Sequence, residues 1–385
     1  LFIAPESEPE FRQSREAQRI TASAAWQARR RTARKADLVD YATTMRLKRQ
    51  VLEAMAAQLL RQDSSRRNEF ASYLRDNPPL TDYARFRAVV EKRGQAWLDW
   101  PQRQRAGNLR AADADAGAEL YHQYVQWIAE RQLSRIGEPD KRSGLYLDFP
   151  LGVHPQGYDV WRNQPLFAQG AAAGAPPDEL FPNGQNWAFP PLHPEAMRRD
   201  GYRYLRAALR HQMRHAGMLR VDHVMGLNRL YWIPRGIATR EGVYVKYRAE
   251  EMYAVLSIES HRARCLVVGE NLGTVPEEAT RAMRRHRVPG MHILQFGISA
   301  RRRQPLGKPR AQEVASLNTH DTPPFAGFLA GKDIDDFARL GVFTPEQAAR
   351  KRAERHQLVA ALRKAFDASG KTTAAGYSQL LAACL

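Results

Sequence analysis

From about residue 140 onward, short apolar runs alternate with helical stretches, and four of the runs end in an acid. The runs are GLYLDFPLGV, GMLRVDHVMG, RCLVVGENLG, GMHILQFGI and VASLNTHDTPP; segments such as RDGYRYLRAALRHQMRHAG and VPEEATRAMRRHRV separate them. Strands separated by helices build a parallel sheet or a β/α barrel. The acids at the C-terminal sides of the runs are Asp148, Asp222, Glu270 and Asp321. Active sites of β/α barrels lie at the C-terminal ends of the strands, so acids repeated there point to a site where a single acid would not.

Upstream of residue 140 the pattern is helical. In ADLVDYATTMRLKRQVLEAMAAQLL the apolar positions Leu38, Tyr41, Met45, Leu52, Met55 and Leu59 recur at three- and four-residue multiples, and Leu120, Tyr124, Trp127 and Ile128 repeat the pattern. The chain therefore divides into a mainly helical region, 1–140, and a β/α portion, 141–385. The stretch AQGAAAGAPPDELFPNGQNWAFPP reads as one long Gly/Pro/Ala-rich loop, a length usually reserved for function or mobility.

Composition narrows the function classes. No apolar run approaches the length of a membrane span, and no secretory leader pattern is visible. Cys265 and Cys384 offer neither a metal spacing nor a disulfide framework, which fits a reduced, cytoplasmic setting. The net charge of +18 raises a nucleic-acid or anionic partner, but no zinc, RNA-binding or helix-turn-helix pattern accompanies it. The excess is spread along the chain and reads as compositional bias. No phosphate-binding glycine loop or nucleophile-elbow serine occurs. His223 and His320 each adjoin an acid, yet neither shows the i, i+4 pairing of a helical zinc site.

The acids suit one chemistry. On a strand, residues i and i+2 share a face, so Arg220 and Asp222 point the same way. An arginine beside a carboxylate lowers its pKa and keeps it ionised, as a nucleophile requires. A second carboxyl in a less polar setting stays protonated and serves as general acid. Such a pair is the equipment for glycoside hydrolysis or transfer, with the two groups about 5–5.5 Å apart in retaining enzymes. Each motif alone also has a structural reading, as an ion pair, a helix cap or a capped turn; their joint occurrence at strand ends favours a site.

The segments LRVDHVMGLNRLYWIPRG, EGVYVKY, VVGENLGTVP, VPGMHILQF and LNTHDTPPFAGF, in this order, closely resemble the 4-α-glucanotransferases of glycoside hydrolase family 77, as do LYLDFPLGVHPQGYDVW and NGQNWAFPP. The resemblance runs from about residue 36 to 331. It implies a (β/α)8 TIM barrel with large helical insertions and transfer of α-1,4-glucan segments by a retaining double displacement. By resemblance Asp222 is the nucleophile, Glu270 the general acid/base and Asp321 the third acid, gripping sugar hydroxyls. Arg220, His320, His223, Asp148, Asp159 and Trp187 are implied as substrate-side residues, with Trp161, Tyr231 and Trp232 as weaker candidates. The donor would be a malto-oligosaccharide, starch or glycogen and the acceptor another sugar. No cofactor, metal, nucleic acid or membrane partner is implied. A hydrolase using the same carboxylates is the alternative. Against the family pattern the chain starts just past the first barrel strand and stops before the last, so a fragment incomplete at both termini, with open strand edges, is expected.

Overall fold

A computed structural model of the chain describes residues 2–61, 64–137, 144–178, 181–302 and 305–367. It is a mixed helix/strand structure that divides into two compact units.

The first unit comprises Leu1–Tyr146, Gly152–Gly217 and Leu230–Lys246. Its centre is a set of long helices, Tyr41–Arg61, Ser65–Asp76, Pro78–Arg93 and Ala116–Gly137. The helix ends follow local chemistry. The Ser64 hydroxyl accepts from the Arg67 N–H, proline opens Pro78–Arg93, and Gly94, at φ 63°, closes it in the left-handed region. Leu52, Met55, Leu59, Tyr124, Trp127 and Ile128 form the core expected from their periodicity, joined by Val51, with Leu120 half-buried against it. The first turns of that pattern do not: Leu38, Tyr41 and Met45 are exposed. Their spacing continues the apolar face, but the helix begins only at Tyr41 and packs its later turns.

The Gly/Pro/Ala-rich stretch read as one long loop carries two strands among its described residues. Strands β2 (Ala171–Ala175) and β3 (Gln185–Asn186) pair antiparallel within it, and β2 pairs antiparallel with β5 (Arg229–Pro234). β6 (Val243–Lys246) completes the order β3-β2-β5-β6. Alanine and glycine are poor strand formers alone. Here their small size is what the pairing needs: a Cβ on Gly174 would lie 2.1 Å from the Gln185 carbonyl oxygen. Tertiary contact overrides propensity.

The second unit comprises Leu147–Leu151, Met218–Arg229 and Tyr247–Leu385. Strands β1 (Leu145–Phe149), β4 (Ala216–Val221) and β7 (Leu266–Gly269) form a sheet in the order β1-β4-β7. β4 and β7 run parallel, with Arg220 opposite Val268 and Val221 opposite Gly269. β8 (Gly290–Ile293) and β9 (Glu313–Ser316) form a second parallel pair. The Gly269 N–H donates to the Pro289 carbonyl at 2.8 Å, tying the end of β7 to the start of β8. Helices Ala249–Ala263 and Glu277–Arg285 alternate with these strands. Leu219, Arg220 and Val221 are consecutive and all buried, so β4 is covered on both faces, as a central parallel strand is. The Cys265 side chain is buried just ahead of β7; Cys384 lies outside the described residues. Among the described residues no helix is long and apolar enough to cross a membrane.

Candidate active site

The acids expected from the strand ends converge in the second unit. β4 ends at Val221, and the chain turns at once: His223 adopts φ 44° and ψ 60° in the left-handed region, ahead of a short 3-10 helix, Val224–Leu227. A non-glycine residue there is uncommon and is held by its surroundings. The Asp222 N–H donates to the Phe149 carbonyl at 3.0 Å and the Val224 N–H to the Glu270 carbonyl at 3.0 Å, so the ends of β1, β4 and β7 are stitched together around this turn.

Arg220 organises the acids. Its Nη1 donates to both carboxylate oxygens of Asp148, at 2.7 and 2.8 Å, and lies 2.9 Å from Asp222 Oδ1. Its Nη2 is 3.5 Å from Asp321 Oδ2. His320 Nε2 sits 3.5 Å from Asp148 and 3.4 Å from Asp321. The side chains grade from floor to rim: Arg220 is 7% exposed, Asp222 36% and Asp321 63%. One face of this arrangement therefore opens to a ligand while the cation that binds the acids together stays dry. Among the described residues no group of three or more His, Cys, Asp or Glu is placed to hold a metal ion.

Glu270 is buried beside the cluster. Its Oε2 accepts from the His223 N–H at 2.9 Å and its Oε1 from the Leu272 N–H at 2.7 Å. The left-handed turn at His223 aims that first donor.

Burial raises the pKa of Glu270. The Leu272 N–H opposes the rise, the Asp222 charge adds to it, and the His223 N–H and Arg220 oppose it in turn. A buried carboxyl biased toward its protonated form is what a general acid requires. Asp222 departs from expectation. Burial raises its pKa too; Arg220 pulls the other way and the Asp148 charge pushes it up further. The i, i+2 pair taken alone favours the arginine. In the fold, Arg220 is shared with Asp148, and Asp222 is half-buried among like charges. The guanidinium itself is raised: burial works against it, but the Asp148 hydrogen bonds and the Asp222 charge prevail. Burial holds the His223 imidazole neutral, with its pKa pushed down to about 4.

Arg220, Asp222, His223, Glu270, Asp148, His320 and Asp321 thus fall in one unit. Asp159 and Trp187 fall in the other. Asp159 accepts from the Tyr204 hydroxyl at 2.9 Å. Trp187 stacks on Phe189, with ring centroids 6.2 Å apart, and its indole N–H donates to Gln185. Trp161 is a core residue, packed with Phe86 and Trp100 and donating to the Gln104 carbonyl. The Tyr231 hydroxyl donates to the Thr239 carbonyl, and Trp232 meets His193 edge-on. Sequence reading missed Asn271, whose Oδ1 accepts from the Met291 N–H at 2.8 Å beside Glu270. The polar residue directly after the acid in GENLG was the available signal.

Known proteins match along nearly the whole chain. The family of 4-alpha-glucanotransferases, glycoside hydrolase family 77, matches residues 2–383. A 4-alpha-glucanotransferase of Mycobacterium tuberculosis is 38% identical over 307 residues, covering 75% of this chain and 42% of the relative. One from Haemophilus influenzae is 33% identical over 379 residues, covering 92% of this chain and 54% of its own length. The crystal structure of amylomaltase from Corynebacterium glutamicum superposes with a TM-score of 0.80 at 30% identity, covering 98% of this chain and 53% of that one. The chain thus spans about half the length of the curated relatives it matches. On the breadth of the family match, this chain belongs to the 4-alpha-glucanotransferases of glycoside hydrolase family 77.

Proposed function

We propose that the chain carries the catalytic chemistry of a 4-α-glucanotransferase, moving α-1,4-glucan segments between malto-oligosaccharides by double displacement. The observation that carries this reading is the arrangement of two differently held carboxyls in one unit. Asp222 lies on the Arg220 guanidinium, and Glu270 is buried between two main-chain donors.

In the first half-reaction Asp222 attacks C1 of the donor glucose while Glu270 gives its proton to the departing glycosidic oxygen. The bond to the leaving sugar breaks as the glucosyl–carboxylate bond forms. In the second, Glu270 takes the proton of an acceptor 4-hydroxyl, whose oxygen displaces Asp222. Asp222 must be ionised to attack. Arg220 opposes the effect of burial, and positive charge developing on the sugar adds to the stabilisation of the anion. Asp321 and His320, exposed at the rim, are hydroxyl ligands for the sugar in this reading, with Asp148 holding Arg220 in place. His223, Asp159 and Trp187 are proposed as further sugar contacts on the strength of the family resemblance; aromatic faces stack on sugar rings. Residues 141–385 are the catalytic barrel portion in this reading and 1–140 its helical insertion. The partners are a malto-oligosaccharide, starch or glycogen donor and a sugar acceptor, in the cytoplasm. Both the nucleophile and the acid are side chains, so the reaction as written calls on no cofactor.

The test is disproportionation of maltotriose by wild type and Asp222→Ala. Glucose together with a ladder of longer oligomers from the wild type means transfer; rising reducing ends without the ladder mean hydrolysis. Asp222→Ala is expected to abolish the ladder. Activity near wild type would show that Asp222 is not the nucleophile. Glu270→Gln should lose about 10²–10⁴-fold, the share general acid catalysis contributes.

A further inference from the structure

Glu270 is gripped from both sides along its own chain. Before it, the Gly269 N–H donates to the Pro289 carbonyl at 2.8 Å; after it, Asn271 Oδ1 accepts from the Met291 N–H at 2.8 Å. The start of β8 therefore holds both neighbours of the acid. Leu272, next in line, packs against Val268, Met291 and Ile293 and donates to Glu270 Oε1. Gly290 lies between the two anchor points. A Cβ there would stand 2.7 Å from Asn271 Nδ2 and 2.9 Å from its Oδ1, well inside any real contact. Its φ is not positive, so the backbone makes no demand for glycine. What requires glycine at 290 is the amide of Asn271.

We propose that Asn271, seated against Gly290, is a positioning residue for Glu270: it fixes the 270–272 turn so that the Leu272 N–H meets Oε1. This rests on the reading of Glu270 as the acid/base. The physical effect follows from the donor's target. A hydrogen bond to a carboxylate favours its charged form, so losing the Leu272 donor leaves burial less opposed and makes the carboxyl a weaker acid. The carboxyl also loses one of the two contacts that fix its direction.

The experiment titrates the Glu270 carboxyl by ¹³C NMR in protein labelled at glutamate, with Glu270→Gln supplying the assignment. The variants are Asn271→Ala, Gly290→Ala and the double substitution. Asn271→Ala is expected to raise the midpoint by roughly half to one pH unit. Gly290→Ala should do the same by wedging the amide off Met291. The double variant should match Asn271→Ala, because without the amide the new methyl has nothing to strike. In maltotriose transfer, kcat should fall about tenfold with KM within about twofold, and the basic limb of the pH profile should move up with the midpoint. An unmoved midpoint in Asn271→Ala, or effects of the two substitutions that simply add, would overturn the proposal. If Asn271→Ala does not fold, Gly290→Ala carries the same test. Undiminished transfer by Glu270→Gln would remove the catalytic reading and leave the titration standing. A flat titration alongside an inactive Glu270→Gln removes this inference alone.

Discussion

Replacing Arg220 with methionine keeps most of the volume and removes a cation that Asp148, Asp222 and Asp321 share. Leaving a buried charge without its partner typically costs about 3–5 kcal/mol. Here the orphaned groups are the three carboxylates, and each is more than a third exposed, so water takes over part of the lost interaction. The expected loss is about 2 kcal/mol at neutral pH, below the fully buried range and above an exposed pair. Its pH dependence separates charge from packing. Asp222 has a folded pKa above its unfolded value, so its contribution to stability is fully present below the unfolded pKa and is lost as pH rises through the folded one. Without Arg220 that rise is larger, and the deficit of the variant opens as pH climbs. The assay is hydrogen exchange of the amides of Met218–Val221 and Leu266–Gly269, corrected for intrinsic rates, at pH 4 and pH 7. These strands pair directly, so their opening reports on the site. The loss should be about 2 kcal/mol at pH 7 and under about 1 at pH 4, where a proton on Asp222 offsets the missing cation. Equal losses at both pH values would mean that Arg220 contributes by packing, and the account of a shared counter-charge would fail.

Two further outcomes follow from the same strands and turn. Leu219→Ala, at a fully buried position in the middle of β4, should cost about 2–5 kcal/mol in the same exchange measurement; a loss below about 1 would show that β4 is not the central, doubly covered strand described. The His223 imidazole should titrate near 4 in an NMR titration, because burial disfavours its charged form. Stability tied to that neutral ring is present above the unfolded pKa and is lost as pH falls toward 4. A midpoint at about 6 or higher would mean that the ring is solvated and the turn looser than described.

What sequence reading could and could not reach follows from the range of the interactions involved. Local pattern suffices for the helices around Met55 and Trp127, each defined by one buried face, and for β4 and β7, which read as continuous apolar runs. It failed at Ala171–Ala175, where pairing with Gln185 and Trp232 decides the conformation against the propensity of the residues. The identity of the acids was legible because each sits at the end of an apolar run. The sharing of Arg220 was not, since Asp148 lies 72 residues earlier and only the sheet order β1-β4-β7 brings it to the guanidinium. The sign of the Asp222 shift depended on that same non-local fact. A strand pattern shows one arginine beside one acid; the fold shows one arginine among three, in a place where burial outweighs it. The placement of Glu270 went furthest beyond the sequence, because the His223 and Leu272 donors that hold it are main-chain amides that no residue type announces. Only their indirect marks could have been read: a histidine forced into a left-handed turn, and a glycine whose missing Cβ leaves room for an asparagine amide. The two carboxyls are thus set apart less by which residues surround them than by which kind of donor reaches them. Asp222 is met by a buried cation that it must share, and Glu270 by main-chain amides. Burial raises the pKa of both; the strongest opposition is the Arg220 charge at Asp222 and the Leu272 N–H at Glu270.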